Sequence, residues 1–273
     1  MPDDAVTASS THALRAARDR LVALRDDRDA AAEGFAWPDV GPVFNWGIDW
    51  FDAIAVGNDR EALVIVEEDG TRTARTFAEM ADRSSRLGAW LLERGVRAGD
   101  AVLLMLGNRV ELWESMLALI KLGAVILPTT VATGGTDLRD RLTRGSVRVV
   151  IAGTDDAAKF DGLADDLLRV AVGDDRDAVG DAWRRYADAF DRPAEPLPHP
   201  GTRIHDPLLH YFTSGTTSRP KLVEHTHASY PIGHLSTMYW LGLRPGDVHL
   251  AISSPGWAKH AWSCFFAPWI AEA

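Results

Sequence analysis

Five hydroxyl residues, a glycine, an arginine, a proline and a lysine run from Thr213 to Lys221 in the order Thr-Ser-Gly-Thr-Thr-Ser-Arg-Pro-Lys. An apolar lead-in of Leu208, Leu209, Tyr211 and Phe212 precedes them. A strand that ends in such a loop exposes backbone N–H groups with no ladder partner. Hydroxyls and an ammonium beside them make a host for phosphate oxygens. Spacing rules out two common alternatives. A Walker loop needs glycine, four residues, then Gly-Lys-Ser/Thr, whereas Gly215 is followed by four residues and then Pro220-Lys221-Leu222. A Gly-x-Ser-x-Gly nucleophile elbow is absent as well. Downstream, Gly256-Trp257-Ala258-Lys259-His260 places an indole against a small residue, a combination that shapes an apolar slot with a polar mouth. His225, His227, His234 and His260 have neither a paired acid in sequence nor ligand spacing, so structural roles are expected; His260, beside that slot, is the exception to test.

Elements must hold these residues in place. Residues 10–34 read as one helix with Leu14, Ala17, Leu21 and Leu24 on a stripe, an arm on the main body. Phe44, Trp46, Trp50 and Phe51 form an aromatic group expected to pack. Residues 62–67 and 71–76 flank Asp69-Gly70 as a hairpin, and Thr76-x-x-Glu79 is a capping box for a helix burying Phe77, Met80, Leu87 and Leu91. Strands are expected over 101–106, 124–127, 147–152 and 167–172, with helices over 110–122, from about 136, and around 177–190. Short apolar strands alternating with amphipathic helices indicate an α/β fold of stacked parallel or mixed sheets with covering helices. The acidic residues between Asp161 and Asp191 read as a solvated face, with no metal site expected. Five prolines in 192–207 suggest a connection between two sub-sheets. Beyond it, strands are expected at 208–212, 222–225 and 248–253, with a helix at 228–241 between the last two. The expected division is therefore an arm over 1–40, a first α/β sub-domain over 41–191, the connection, and the start of a second sub-domain over 208–273.

The 273 residues carry a formal charge of −10, which argues against general binding to nucleic acid or anionic membrane. Cys264 is the single cysteine, so an intrachain disulfide framework and a multi-cysteine metal site are excluded. The start, Met-Pro-Asp-Asp, has no basic or apolar signal region, and no run is long enough to span a membrane; a cytoplasmic enzyme is expected.

Tyr-Phe-Thr-Ser-Gly-Thr-Thr-x-x-Pro-Lys resembles the phosphate-binding loop of the adenylate-forming superfamily. Residues 103–123, Pro128-Thr129-Thr130 and 254–259 resemble its medium-chain acyl-CoA synthetase branch, so the resemblance covers about 44 to the end. The resemblance implies ATP-dependent activation of a carboxylic acid, with Mg²⁺ bridging the phosphates and coenzyme A as the acceptor. It implies that Thr213, Ser214, Gly215, Thr216, Thr217, Ser218, Arg219, Pro220 and Lys221 wrap the β- and γ-phosphates, with Lys221 as the catalytic cation. Ser218 stands where the family usually has glycine, and Arg219 beside it is a further charge. Gly256, Trp257, Ala258, Lys259 and His260 would wall the acyl pocket. Residues 128–137 would approach coenzyme A, with Ala132 and Thr133 facing it through the backbone. The superfamily's adenine, ribose and Mg²⁺ segments, its hinge and its C-terminal domain have no counterpart up to residue 273. The chain thus reads as the N-terminal portion of such an enzyme, inactive alone; a non-catalytic interaction module and an enzyme loading a carrier protein are the alternatives.

Overall fold

In the computed structural model the described residues are 2–164, 166–173, 179–191, 193, 195–213 and 220–273, with side chains before residue 9 excluded. Ser214, Gly215, Thr216, Thr217, Ser218 and Arg219 lie outside them.

The expected N-terminal helix is two helices, α1 (Pro2–Ala23) and α2 (Arg28–Gly34). Asp27 makes the break: its carboxylate accepts from the Ala30 amide at 2.9 Å and starts α2 afresh. A π-helical turn, Trp46–Asp52, and the short α3 (Ala53–Ala55) follow. Asn45 caps that turn through Gly47 and Ile48, and its amide donates to the Ile120 carbonyl at 2.7 Å. Trp46, Trp50 and Phe51 are fully buried, packed on Phe265, Phe266 and Trp269 near the other end of the chain. Both indole N–H groups of the Trp50–Trp269 pair are satisfied, by the carbonyls of Trp269 and Ala62.

Strands β1 (Glu61–Val66) and β2 (Arg72–Thr76) form the expected hairpin, and α4 (Phe77–Glu93) opens on the expected capping box. The chain then alternates: β3 (Ala101–Met105), α5 (Val110–Leu122), β4 (Val125–Pro128), α6 (Gly135–Arg144), β5 (Val147–Gly153), β6 (Leu168–Val172), β7 (Trp183–Arg185), β8 (Pro207–Thr213) and β9 (Lys221–Thr226). Among the described residues these strands make one seven-stranded sheet, ordered β7-β6-β5-β3-β4-β8-β9, parallel except for β8 against β9. The pleat sorts the central strand: Val102 and Leu104 join the core with α4 and α5, while Ala101, Leu103 and Met105 meet Leu138 and Leu142 of α6 on the other face. Both faces are covered, as a parallel sheet requires.

Further expectations are corrected here, among them the strand at 248–253, which joins no sheet among the described residues. The helix around 177–190 is strand β7 followed by a 3₁₀ turn, Tyr186–Phe190. Trp183 buries its ring edge-on to Phe160, and parallel pairing to β6 satisfies the backbone. Residues 195–206 do not join two sub-sheets; they carry the chain to β8, which adds to β4 in the same sheet. The helix from 228 begins later, as α7 (Leu235–Leu241) after a 3₁₀ turn at Ile232–His234, because Pro231 lacks the N–H an earlier helix would need. Two short helices, α8 (Ala258–Ala261) and α9 (Ala267–Ala271), close the chain around a π-helical turn, Trp262–Phe266.

One carboxylate ties the N-terminal arm to this end. Glu272 pairs with Arg18 at 3.0 Å, Arg15 at 3.2 Å and Arg60 at 3.2 Å, and Arg18 is only 3 % exposed. Glu272→Gln leaves the buried Arg18 guanidinium with Asp19, at 2.5 Å, as its remaining carboxylate partner, and a loss of about 1–2 kcal/mol is expected. Thermal unfolding gives the size, and faster proteolysis between α1 and α2 locates the loosened arm.

Candidate functional site

The hydroxyl-rich stretch joins β8 to β9. Its described ends, Thr213 and Lys221, are directly paired across the antiparallel register. Directly opposed residues share a face, so both side chains lie on the side that carries Tyr211 and His225. The next rungs differ in direction. Phe212 turns to the opposite face, where the guanidinium carbons of Arg141 and Arg144 sit 4.9 and 5.0 Å from its ring centre. His210 Nε2 meets Glu224 Oε2 at 3.0 Å. Two interactions thus brace the hairpin just below the loop. Lys221 is exposed at the mouth, and Pro220 fixes φ immediately before it.

Beneath the hairpin, Tyr230 connects the loop to the second stretch. Its ring centre is 4.4 Å from His225 and 6.3 Å from Tyr211, and its hydroxyl donates to the Ala258 carbonyl at 2.9 Å. Burial pushes the Tyr230 hydroxyl well above the ordinary tyrosine range, so it remains a donor at any working pH.

The 256–260 stretch is held by its backbone. Gly256 has φ +93°, and a Cβ there would lie 2.3 Å from the Thr130 nitrogen and 2.8 Å from the Thr129 carbonyl carbon. Only glycine allows this approach. It sets the stretch directly on the loop that follows β4. Trp257 is 66 % exposed, so it is no core residue; Trp262 is half-buried, near Trp240 and His234. Lys259 reaches the Ile252 carbonyl at 3.4 Å.

His260 is buried. Its Nε2 lies 3.1 Å from Asn108 Oδ1, and Asn108 Nδ2 donates to the Ser253 carbonyl at 3.1 Å. The amide orientation set by Ser253 leaves Oδ1 as acceptor, so His260 carries its proton on Nε2. Burial lowers its pKa to about 4, and the ring is neutral. It packs 5.1 Å from Trp113, whose indole donates to the Cys264 carbonyl. This is a positioning role for the one histidine that the sequence set apart. Asn108→Ala is expected to cost about 1–2 kcal/mol by unpairing His260 and freeing Ser253, read from a urea melt at pH 7.5.

The third stretch is the β4–α6 loop. Thr129 and Thr133 are buried, and Ala132 is exposed. The Thr133 amide is taken by the Thr130 carbonyl at 3.0 Å and the Ala132 amide by Thr130 Oγ1 at 3.4 Å. Lys159, paired with Asp156, bonds the Val131 carbonyl and fixes the loop's outer side. Ala132 and Thr133 thus present neither free amides nor a projecting donor, and Val131 and Ala132 form the exposed surface.

Among the described residues, the structure seats the 256–260 stretch on the β4 loop and ties it, through Tyr230, to the β8–β9 strands that flank the hydroxyl-rich stretch. Asn108 follows β3, Thr129–Thr130 follow β4, and the loop follows β8; these strands are neighbours, and the groups gather at their carboxyl ends, where open α/β sheets bind ligands. A cavity of about 500 Å³ opens on the other side of β3, between 106–111 and 153–156. It is lined by none of the sequence-derived candidates, and much of its charge is paired: Arg75 and Arg83 with Glu114, Arg109 with Glu111, and Asp156 with Lys159. Sequence reasoning missed Asn108 and Tyr230. A polar residue just past an apolar strand was the available signal for Asn108; Tyr230 had none.

The chain is 32 % identical over 239 residues to 4-hydroxybutyrate–CoA ligase 1 of Metallosphaera sedula, covering 84 % of this chain and 40 % of that protein. It is 28 % identical over 231 residues to the human mitochondrial acyl-coenzyme A synthetase ACSM3, with 82 % and 39 % covered. Its fold matches the acetoacetyl-CoA synthetase of Streptomyces lividans with a TM-score of 0.75 at 23 % identity, over 85 % of this chain and 38 % of that one. The chain thus spans about two fifths of the length of these relatives. The family model described as AMP-binding enzyme matches residues 50–273, which include the hairpin, the Gly256 junction and the β4 loop alike. By that match, this chain belongs to the AMP-binding enzyme family.

Proposed function

We propose that the chain supplies the pyrophosphate side and part of the acyl pocket of an ATP-dependent acyl-CoA synthetase. The observation that carries this reading is the seating of the 256–260 stretch on the β4 loop and its link through Tyr230 to the β8–β9 hairpin, at the carboxyl ends of neighbouring strands. In the reaction a carboxylate oxygen of the acid attacks the α-phosphorus of ATP. The bond to the β-phosphate oxygen breaks, and pyrophosphate leaves with the electron pair. The thiolate of coenzyme A then attacks the acyl carbon and displaces AMP. Mg²⁺ enters with ATP as part of the substrate.

Lys221 is the catalytic cation of this reading. At the exit of the loop, opposite Thr213, its ammonium faces the charge that builds on the departing pyrophosphate. The hydroxyls of Thr213, Ser214, Thr216, Thr217 and Ser218 and the charge of Arg219 complete the cradle, with Pro220 as its rigid end. Gly256, Trp257, Ala258, Lys259 and His260 border the acid. Residues around Ala132 and Thr133 border the coenzyme A path. The 273-residue chain alone is inactive in this reading, since it spans two fifths of its relatives.

The test is acid-dependent exchange of pyrophosphate into ATP. The chain extended to the relatives' full length should exchange with a short-to-medium-chain or aryl acid, and the 273-residue chain should not. Lys221→Ala is expected to slow exchange by about 100-fold. Because Lys221 is exposed, the melting temperature should barely change. Unchanged exchange in that variant would remove Lys221 from the mechanism; thioester formation by the 273-residue chain would overturn the claim of inactivity.

A further inference from the structure

Helix α6 carries Arg139, Arg141 and Arg144 against Asp137 and Asp140, three arginines to two aspartates and a surplus of one positive charge. The three cations differ in their surroundings. Arg139 is exposed to water. Arg144 pairs with Asp140 at 2.9 Å. Arg141 is half-buried, and among the described residues its guanidinium makes neither an ion pair nor a hydrogen bond. Asp137 and Asp140 favour its charge from a distance, yet burial outweighs them and lowers its pKa. The guanidinium carbon stands 4.9 Å from the centre of the Phe212 ring, with that of Arg144 at 5.0 Å. An aromatic face recovers part of what a cation loses on leaving water, and a carboxylate or phosphate oxygen recovers more. Arg144 has its carboxylate. Arg141 has only the ring.

We propose that Arg141 strengthens the binding of polyphosphate at the end of the β8–β9 hairpin, as a second cation on the sheet face opposite Lys221. Position argues for this role. Phe212 directly precedes Thr213, and Thr213 with Lys221 is the last described pair of the hairpin. Lys221 lies on the Tyr211 face, whereas Phe212 packs with Leu138 and Leu142 of α6 on the other. From the 4.9 Å stack and the ~3.8 Å step between neighbouring Cα atoms, the Arg141 charge is on the order of 10 Å from the hairpin end. That is about one Debye length at ordinary ionic strength. At such a separation near a protein surface, one charge changes the affinity of a doubly or triply charged anion by roughly tenfold. The two cations act at different moments. Lys221 faces the charge that builds as pyrophosphate departs. Arg141 attracts the phosphates equally before and after the bond breaks, which is uniform binding. This rests on the functional reading above, which puts the β- and γ-phosphates of ATP at this end of the sheet; its test reads equilibrium binding, so the two can fail separately.

The experiment is calorimetric titration of the 273-residue chain with inorganic pyrophosphate, at low and at physiological salt. Arg144→Gln is the control, because it takes a cation from the same ring but one that already has a carboxylate. Arg141→Gln should weaken binding by about tenfold and flatten its salt dependence. Arg144→Gln should leave affinity within about twofold, and both variants should melt within about 2 °C of each other, since each loses one stacked guanidinium. Arg141→Lys keeps the charge without the flat stack and should restore affinity to within about threefold. In a polypeptide extended to full enzyme length, Arg141→Gln should raise KM for ATP far more than it lowers kcat, the reverse of Lys221→Ala. Equal weakening by the Arg141 and Arg144 substitutions would overturn the proposal, by reducing the effect to packing on Phe212. So would a loss that Arg141→Lys does not restore, an affinity that Arg141→Gln leaves unchanged, or no binding of millimolar pyrophosphate to the unsubstituted chain. Weakening by Lys221→Ala but not by Arg141→Gln would sink this inference and leave the functional reading standing. A tenfold Arg141 effect without acid-dependent exchange in the extended polypeptide would do the opposite.

Discussion

Between pH 6.5 and pH 4 the chain should lose most of its stability. His227, His234 and His260 are each held by burial at a pKa of about 4, against about 6.5 when unfolded. In that window the unfolded chain binds protons that the folded chain refuses, so stability declines as pH falls, beginning near 6.5 and ending near 4. Each ring contributes up to about 3 kcal/mol, and together they approach the whole stability of a domain of this size. His227 makes the strongest case. It is fully buried, neither ring nitrogen has a hydrogen-bond partner among the described residues, and burial outweighs the nearby Asp206 and Asp49, which favour protonation, while His199 opposes it. One group works in the other direction. Burial raises the pKa of Asp52, which pairs with the buried Lys121 at 2.6 Å, so its protonation on acidification favours the folded chain. A single raised carboxylate does not offset three lowered imidazoles. Urea melts at pH 7.5, 6, 5 and 4.5 measure the slope. His227→Leu should remove about a third of it at little cost at pH 7.5, since no hydrogen bond is lost. A stability that stayed flat from pH 7.5 to 5 would mean that these rings are protonated within the fold.

The sequence signals that survived were local ones. Gly123 caps α5 at φ +71°, Thr76 and Glu79 exchange hydrogen bonds across the start of α4, and the apolar runs at 101–105 and 147–153 pair as parallel strands. Each depends on residues a few positions apart, where propensity and periodicity operate. Strand β7 was hidden because Trp183 is its single buried position, within a stretch of acidic and basic residues that suggested a solvated helix. Placement of the β8–β9 hairpin in the first sheet depends on one registered pair, Ile126 with Leu209, which no local pattern encodes. The candidate site divides in the same way. The type and order of residues 213–221 and 256–260 were readable, and so was the resemblance they carry. The contacts that align them, Tyr230 to Ala258 and Asn108 to His260, join residues 28 and 152 positions apart. Sequence order alone contains no record of which distant carbonyl a hydroxyl will find.

Gly256→Ala should be the most damaging single-methyl change in the site. Two costs combine. At φ +93° an L-residue pays a conformational penalty of about 1–2 kcal/mol whatever surrounds it. The added Cβ must also occupy space 2.3 Å from the Thr130 nitrogen, and that neighbour is backbone, fixed by the Thr133 amide on the Thr130 carbonyl and by the Thr129 amide on the Leu104 carbonyl. It cannot rotate away as a side chain would, so the 254–260 stretch or the β4 loop must shift by about an ångström. A total loss of about 3–4 kcal/mol is expected. Gly57 provides the control: its φ is +62°, and a Cβ there would meet nothing within 4 Å. Gly57→Ala should cost only the conformational share, and the difference between the two variants isolates the collision with Thr130. The same shift displaces Ala258 and His260 relative to the β8–β9 hairpin. In a polypeptide extended to full enzyme length, pyrophosphate exchange should therefore fall by about 100-fold, which is the usual consequence of moving a positioned group by 1 Å. Equal losses for Gly256→Ala and Gly57→Ala would show that the 256 stretch is not seated on the β4 loop, and the meeting of the three stretches would have to be abandoned.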